Sequence, residues 1–301
     1  MMSLIVDCHT HVFPPEVKRR REIYSMMDGY FADLYEDPRS KIATVEDLIS
    51  EMNDAGVDVS VLCGFGWSTS ELCAMHNDYL LDCIRRYPDR LAALAIIQPR
   101  DGDHALLEVE RCLSGGMKGV GELMPDGQGY RLDHLDTTGP LFEMAADRGF
   151  PIMTHSSEPV GHYYPGKQTV TPEILWNVVQ AYPDTRLILA HWGGGYPFYE
   201  LMPEVKALSQ NVYYDSAAST YLYSPQVFLQ VLQMVGDGKV MWGSDYPVLR
   251  QKRFLQRVRE LPVEEAERAA ILGGNAVRVL GLGPRKKSAD AESEQFRSWA
   301  F

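Results

Sequence analysis

Leu4-Ile5-Val6-Asp7-Cys8-His9-Thr10-His11 begins as a run of apolar residues and ends in two histidines one residue apart. A strand rises about 3.3 Å per residue and alternates its side chains, so His9 and His11 fall on one side of a strand end, with Cys8 on the other. Neutral imidazole is the commonest metal ligand, and two of them so placed grip one cation. One His-x-His alone is weak evidence, but the grammar repeats. The runs at 150–154 and 186–190 end in His155 and His191, and those at 117–121 and 239–244 end in Glu122 and Asp245.

Short apolar, β-branched runs recur near 4–8, 58–63, 91–97, 117–122, 150–154, 186–190, 211–215 and 239–243. Amphipathic patterns near 44–55, 68–86, 103–114, 138–148, 171–181, 198–208, 224–235 and 249–260 lie between or after them, and a further helix is expected near 263–272. Thr44 with Glu46 and Asp47 marks one helix start, Pro172-Glu173 another, and Gly56 a stop. Strand-then-helix units repeated eight times predict an α/β fold, a (β/α)8 TIM barrel. All strands of such a barrel open on one face, where His9, His11, Glu122, His155, His191 and Asp245 would converge as metal ligands. Glu122 reads as a ligand, a bridge between two metals, or a partner for a neighbouring Arg or Lys.

Residues 1–283 are expected to form one barrel domain. Its long connection at 12–43 is read as a lid-like insertion or a surface excursion, carrying the basic run Lys18-Arg19-Arg20-Arg21 and Tyr24, Tyr30, Phe31 and Tyr35. Residues 284–301 read as a tail, whose Phe296, Trp299 and Phe301 suit docking on the body or on a neighbouring subunit. A formal net charge of -12 argues against a nucleic-acid or acidic-membrane partner. Five cysteines without Cys-x-x-Cys spacing suit reduced thiols and a cytoplasmic location. No run of about 20 apolar residues predicts a membrane span.

Asp7-Cys8-His9-Thr10-His11, Thr154-His155, Ala190-His191-Trp192-Gly193-Gly194-Gly195, Trp242-Gly243-Ser244-Asp245-Tyr246-Pro247 and Ile271-Leu272-Gly273-Gly274-Asn275-Ala276 together resemble the amidohydrolase superfamily. Within it, the resemblance is to the branch that contains aminocarboxymuconate-semialdehyde decarboxylase. It implies a barrel with a divalent metal at the C-terminal face, with His9, His11, His155 and Asp245 as ligands. His191 is then either a ligand for a second metal or a catalytic histidine beside one. Homodimers also occur in this branch, and a homodimer is possible here.

A bound dication lowers the pKa of coordinated water to near 7 and polarises a carbonyl. The imidazole and carboxylate donors suit Zn²⁺, one or two ions, with Mn²⁺ or Fe²⁺ possible. Glu122, in its Val-Gly-Glu setting, is similar to the hydrolytic subgroups. The expectation is therefore hydrolysis of a small-molecule amide, lactone or ester by a metal-activated water. Asp245 would shuttle the proton, and His191 would stabilise an oxyanion or hold a second metal. The alternative is non-oxidative decarboxylation or hydration of an unsaturated or aromatic carboxylic acid. His162, Tyr163 and Lys167 are expected at the substrate, Trp192 and Trp67 as flat pocket walls, and Arg100 as a carboxylate clamp.

Overall fold

The computed structural model describes residues 4–283, so the expected tail at 284–301 lies outside the described residues. Among the described residues there are eight strands: β1 (Val6–Thr10), β2 (Val59–Leu62), β3 (Leu91–Ala93), β4 (Val120–Leu123), β5 (Ile152–Thr154), β6 (Leu187–Leu189), β7 (Val212–Asp215) and β8 (Val240–Met241). They pair in parallel as two arcs, β1-β2-β3 and β4-β5-β6-β7-β8. Two seams close the ring. At one, Lys118 N donates to Ala93 O (2.8 Å) and Gly121 N to Ala95 O (2.7 Å). At the other, Cys8 N donates to Trp242 O (3.0 Å) and His11 N to Tyr246 O (2.7 Å). The chain is a (β/α)8 barrel.

Val6, Cys8, Val59, Val61, Leu94, Met153, Ile188 and Met241 fill the barrel interior, and Ala276, Val279 and Leu280 of the last turn of helix pack against them. A larger apolar layer lies between the strands and the surrounding helices. The helix Val45–Ala55 starts with a reciprocal cap between Thr44 and Asp47 and stops at left-handed Gly56, as its sequence predicts. One helix expectation is refined: within the 198–208 pattern Pro203–Leu208 is α-helical, whereas 198–201 belongs to a 3-10 stretch that follows the left-handed run at 191–195. The helix expected near 263–272 forms over Glu265–Ala269 and continues as a wider turn to Gly274, where a side chain at Gly273 would run into the carbonyl of Leu4.

Two register shifts matter for the site. Asp7 pairs with Ser60 but Thr10 with Leu62, so β1 carries one extra residue there. Val120 pairs with Ile152 but Leu123 with Thr154, giving β4 the same excess around Glu122. A bulge re-aims the side chains beside it, and both bulges sit at candidate ligands.

The 12–43 connection folds into short helices, Pro15–Arg19, Arg21–Met27 and Gly29–Tyr35. Its Phe31 stacks on Trp67 with ring centroids 5.0 Å apart. Asp28 accepts from Phe31 N (2.8 Å) and Ser68 N (2.7 Å), which ties the insertion to the loop after β2. In the basic run, Lys18 pairs with Asp47 and Arg20 with Glu16 on the exposed surface.

Candidate metal centre

The strand ends bring His9, His11, Glu122, His155, His191 and Asp245 together, each at most 9% exposed. His11, Glu122, His155, His191 and Asp245 line the floor of a cavity of about 500 Å³. Its walls include Tyr30, Leu34, Tyr35 and Lys41 from the insertion, Tyr164 after β5, and Tyr221 and Leu222 after β7.

The tautomers are fixed by what the far ring nitrogens meet. His9 Nδ1–H donates to the Asp215 carboxylate (2.8 Å), His11 Nδ1–H to Cys63 O (3.2 Å) and His191 Nδ1–H to Ala217 O (3.2 Å). Their Nε2 lone pairs are thereby turned inward. His9 Nε2 and His11 Nε2 lie 3.0 Å apart, and Glu122 Oε2 is 3.3 Å and 3.4 Å from them. Asp245 Oδ1 is 3.5 Å from His11 Nε2. Donors about 2.0–2.2 Å from one ion stand roughly 3.4 Å apart at the tetrahedral angle. The donor set therefore fits a divalent cation in both chemistry and spacing. Across the carboxylate, Glu122 Oε1 is 2.9 Å from His155 Nδ1 and 3.4 Å from His191 Nε2.

The electrostatics show the same demand for positive charge. Burial opposes ionisation of Glu122, yet the facing His9, with His11, His155 and His191, holds its carboxyl well below the usual range. Burial lowers the His191 pKa, but hydrogen bonding and attraction to Glu122 outweigh it and push the imidazole up to about 9. No Lys or Arg pairs with Glu122, Asp215 or Asp245 among the described residues.

Two of the site residues hold left-handed backbone, His191 at φ 54° and Asp245 at φ 60°. Such conformations cost of order 1–3 kcal/mol each and persist where surrounding contacts impose them. Here Asp245 N donates to His9 O (2.9 Å), and His191 N donates to Asp215 Oδ1 (2.9 Å).

Of the expected substrate contacts, His162 lines the cavity. Others are displaced, each for a visible reason. Tyr163 is 80% exposed and points away. Lys167 turns back on its own loop, donating to Val160 O (2.7 Å) and lying over the Tyr164 ring. Trp192 is buried with its indole N–H on Ser219 Oγ (2.6 Å), and Trp67 is buried with its N–H on His76 Nδ1 (3.0 Å). Arg100 lines a separate surface depression with Asp136 and Pro140. The expectation also passed over Asp215, although Val212-Tyr213-Tyr214 runs into it just as the other strands run into their ligands.

Residues 6–282 match the family model of the amidohydrolases. The chain is 24% identical to the 2-amino-3-carboxymuconate-6-semialdehyde decarboxylase of Dictyostelium discoideum, over 94% of this chain and 93% of that protein. The 5-carboxyvanillate decarboxylase of Sphingomonas paucimobilis superposes with a TM-score of 0.76 at 19% identity, covering 92% of this chain and 99% of that one. A dihydroxybenzoic acid decarboxylase from Polaromonas sp. JS666, solved with manganese and 2-nitroresorcinol, gives 0.72 at 18% identity over 95% and 99%. The expectation of a hydrolase is overturned here, because these full-length relatives are decarboxylases. That expectation rests on Glu122, and a strand-end carboxylate is compatible with either reaction. With the barrel, the strand-end donors and a match spanning nearly the whole sequence in hand, the chain belongs to the amidohydrolase family.

Proposed function

We propose that this protein is a metal-dependent, non-oxidative decarboxylase of a small aromatic or unsaturated carboxylic acid. The observation that carries the reading is the end-to-end relationship to a decarboxylase of such an acid. The cavity suits the substrate class: Tyr30, Tyr35, Tyr164 and Tyr221 offer flat walls, and Lys41 and His162 stand among the lining residues.

His9, His11, Asp245 and Glu122 would hold the divalent ion, Mn²⁺ or Zn²⁺. When bound, it supplies positive charge that anchors substrate oxygens and stabilises negative charge developing on them. Asp215 orients His9 through the Nδ1 hydrogen bond. Asp245, on the cavity floor, relays a proton taken from solvent water to the carbon that bears the carboxylate. The bond from that carbon to the carboxyl group then breaks. Its electron pair returns to the unsaturated skeleton, and CO₂ leaves. The insertion at 12–43 forms one wall and limits water at the reacting carbon.

The test is incubation of the Mn²⁺-loaded protein with a panel of hydroxybenzoic and muconic-type acids in D₂O. Release of CO₂ with deuterium appearing at the vacated carbon is the expected result. Consumption of an acid with neither would overturn the proposal.

A further inference from the structure

We infer that Asp7 is a positioning residue for Asp245, acting through Ser244. This rests on the reading above that Asp245 holds the ion and relays the proton. Asp245 has left-handed backbone at φ 60°, a conformation that persists where its surroundings over-determine it. Two supports come directly from β1: Asp245 N donates to His9 O (2.9 Å), and Tyr246 O accepts from His11 N (2.7 Å). The third is Asp7. Its Oδ1 accepts from Ser244 N (2.9 Å) and its Oδ2 from the Ser244 hydroxyl (2.5 Å), while that hydroxyl accepts from Tyr246 N (3.0 Å). One carboxylate thus grips the residue before Asp245 at two atoms and, through the hydroxyl, the residue after it. Gln251 Nε2 donates to Oδ2 (2.8 Å) and reaches Ser60 Oγ (3.0 Å), and His9 N adds a contact to Oδ1 (3.3 Å).

The chemistry calls for a carboxylate. All four partners are donors, and an ionised Asp offers only acceptors, whereas Asn would turn an NH₂ group toward some of them. Asp7, Ser244 and Gln251 are fully buried, and every partner of Asp7 is neutral. A charge buried among neutral donors costs more than an apolar side chain in the same place. What it provides is geometric, the angle at which the Asp245 turn leaves β8. Asp7 and Ser244 are not among the residues lining the cavity. Their effect on the reaction therefore passes through the strand-end residues they hold, and the Ser244 bridge singles out Asp245.

The experiment is a double-mutant cycle on the full-length protein. Ser244→Ala and Asp7→Asn are made alone and in the Asp245→Asn background. Mn²⁺ affinity is read by chelator competition, and kcat and KM at saturating Mn²⁺ with the acid of the panel above that is turned over. Each single variant should bind Mn²⁺ about tenfold or more weakly and lose about 10–100-fold in kcat, with little change in KM. In the Asp245→Asn background the same changes should cost less than about twofold, because the group they hold is gone. Equal losses in both backgrounds, or wild-type affinity and kcat in the single variants, overturn the inference. If the wild type turns over no acid, the decarboxylase reading fails and the Mn²⁺ arm still decides the role of Asp7. Wild-type protein that binds no Mn²⁺ overturns both. Should Asp7→Asn fail to fold, Ser244→Ala alone decides.

Discussion

Asp215 Oδ2 lies 2.8 Å from His9 Nδ1, while its Oδ1 accepts from the backbone N–H of His191 (2.9 Å) and of Ala217 (2.9 Å). One fully buried carboxylate at the end of β7 thus sets the ring of His9 on β1 and the backbone of a strained histidine after β6. Carboxylates that orient a ligating histidine in this way raise its basicity and fix its tautomer.

Replacing Asp215 by Asn removes the charge and keeps the shape. Divalent-metal affinity, measured by competition with a chromophoric chelator, is expected to fall about 10–100-fold. Circular dichroism should stay native. Unchanged affinity would mean that strand geometry alone orients His9.

Asp245→Asn removes the proposed proton donor from the cavity floor. Decarboxylation kcat is expected to drop by about 10²–10⁴-fold, with a smaller change in KM. Full kcat with normal deuterium incorporation would place the proton on another group.

His76 gives a prediction about pH. It is fully buried, accepts from Trp67 Nε1–H (3.0 Å) and donates from Nε2–H to Val12 O (2.8 Å). Burial pushes its pKa from 6.5 down to about 4. The unfolded chain therefore binds more protons at this site between those values. The contribution is fully present above pH 6.5 and is lost as pH falls toward 4, amounting to about 3 kcal/mol at 1.36 kcal/mol per pKa unit. Asp7 works in the opposite sense, because burial raises its pKa to about 6. The measurement is accordingly the difference in urea-unfolding free energy between wild type and His76→Gln at pH 7.5 and pH 5. The gap should narrow at the lower pH, and a constant gap would show that His76 does not titrate on unfolding.

Gly194 and Gly195 separate two costs of the left-handed turn. Both have positive φ, 58° and 98°, but a side chain at 194 would collide with the carbonyl of Ser157 whereas one at 195 meets nothing within 4 Å. Gly195→Ala should cost about 1–2 kcal/mol from backbone strain alone. Gly194→Ala should exceed it by at least about 1 kcal/mol, since the loop after β5 must move. Equal melting temperatures for the two variants would contradict that packing.

The pattern of apolar run followed by ligand carried much of the site, because in a parallel barrel position along the strand sets the face on which a residue emerges. His9, His11, Glu122, His155, His191 and Asp245 share the cavity end for that reason. Regular alternation did not foresee the extra residue in β1 and β4, since a bulge is decided by pairing with the neighbouring strand. Trp67, Trp192 and Arg100 misled for a related reason. Aromatic and cationic side chains advertise contact without direction, and only the insertion's Phe31, the Ser219 hydroxyl and the surface depression show where they went.

By itself the sequence determined the strand-and-helix rhythm and the identity of the strand-end donors, because both follow from local periodicity and residue chemistry. The tertiary structure alone decided how those donors divide across Glu122, that Asp215 supports two of them, and that Tyr30, Tyr35 and Lys41 reach the cavity. These are relations between segments far apart in the chain, fixed by barrel closure and loop packing, and local pattern does not encode which distant side chains meet.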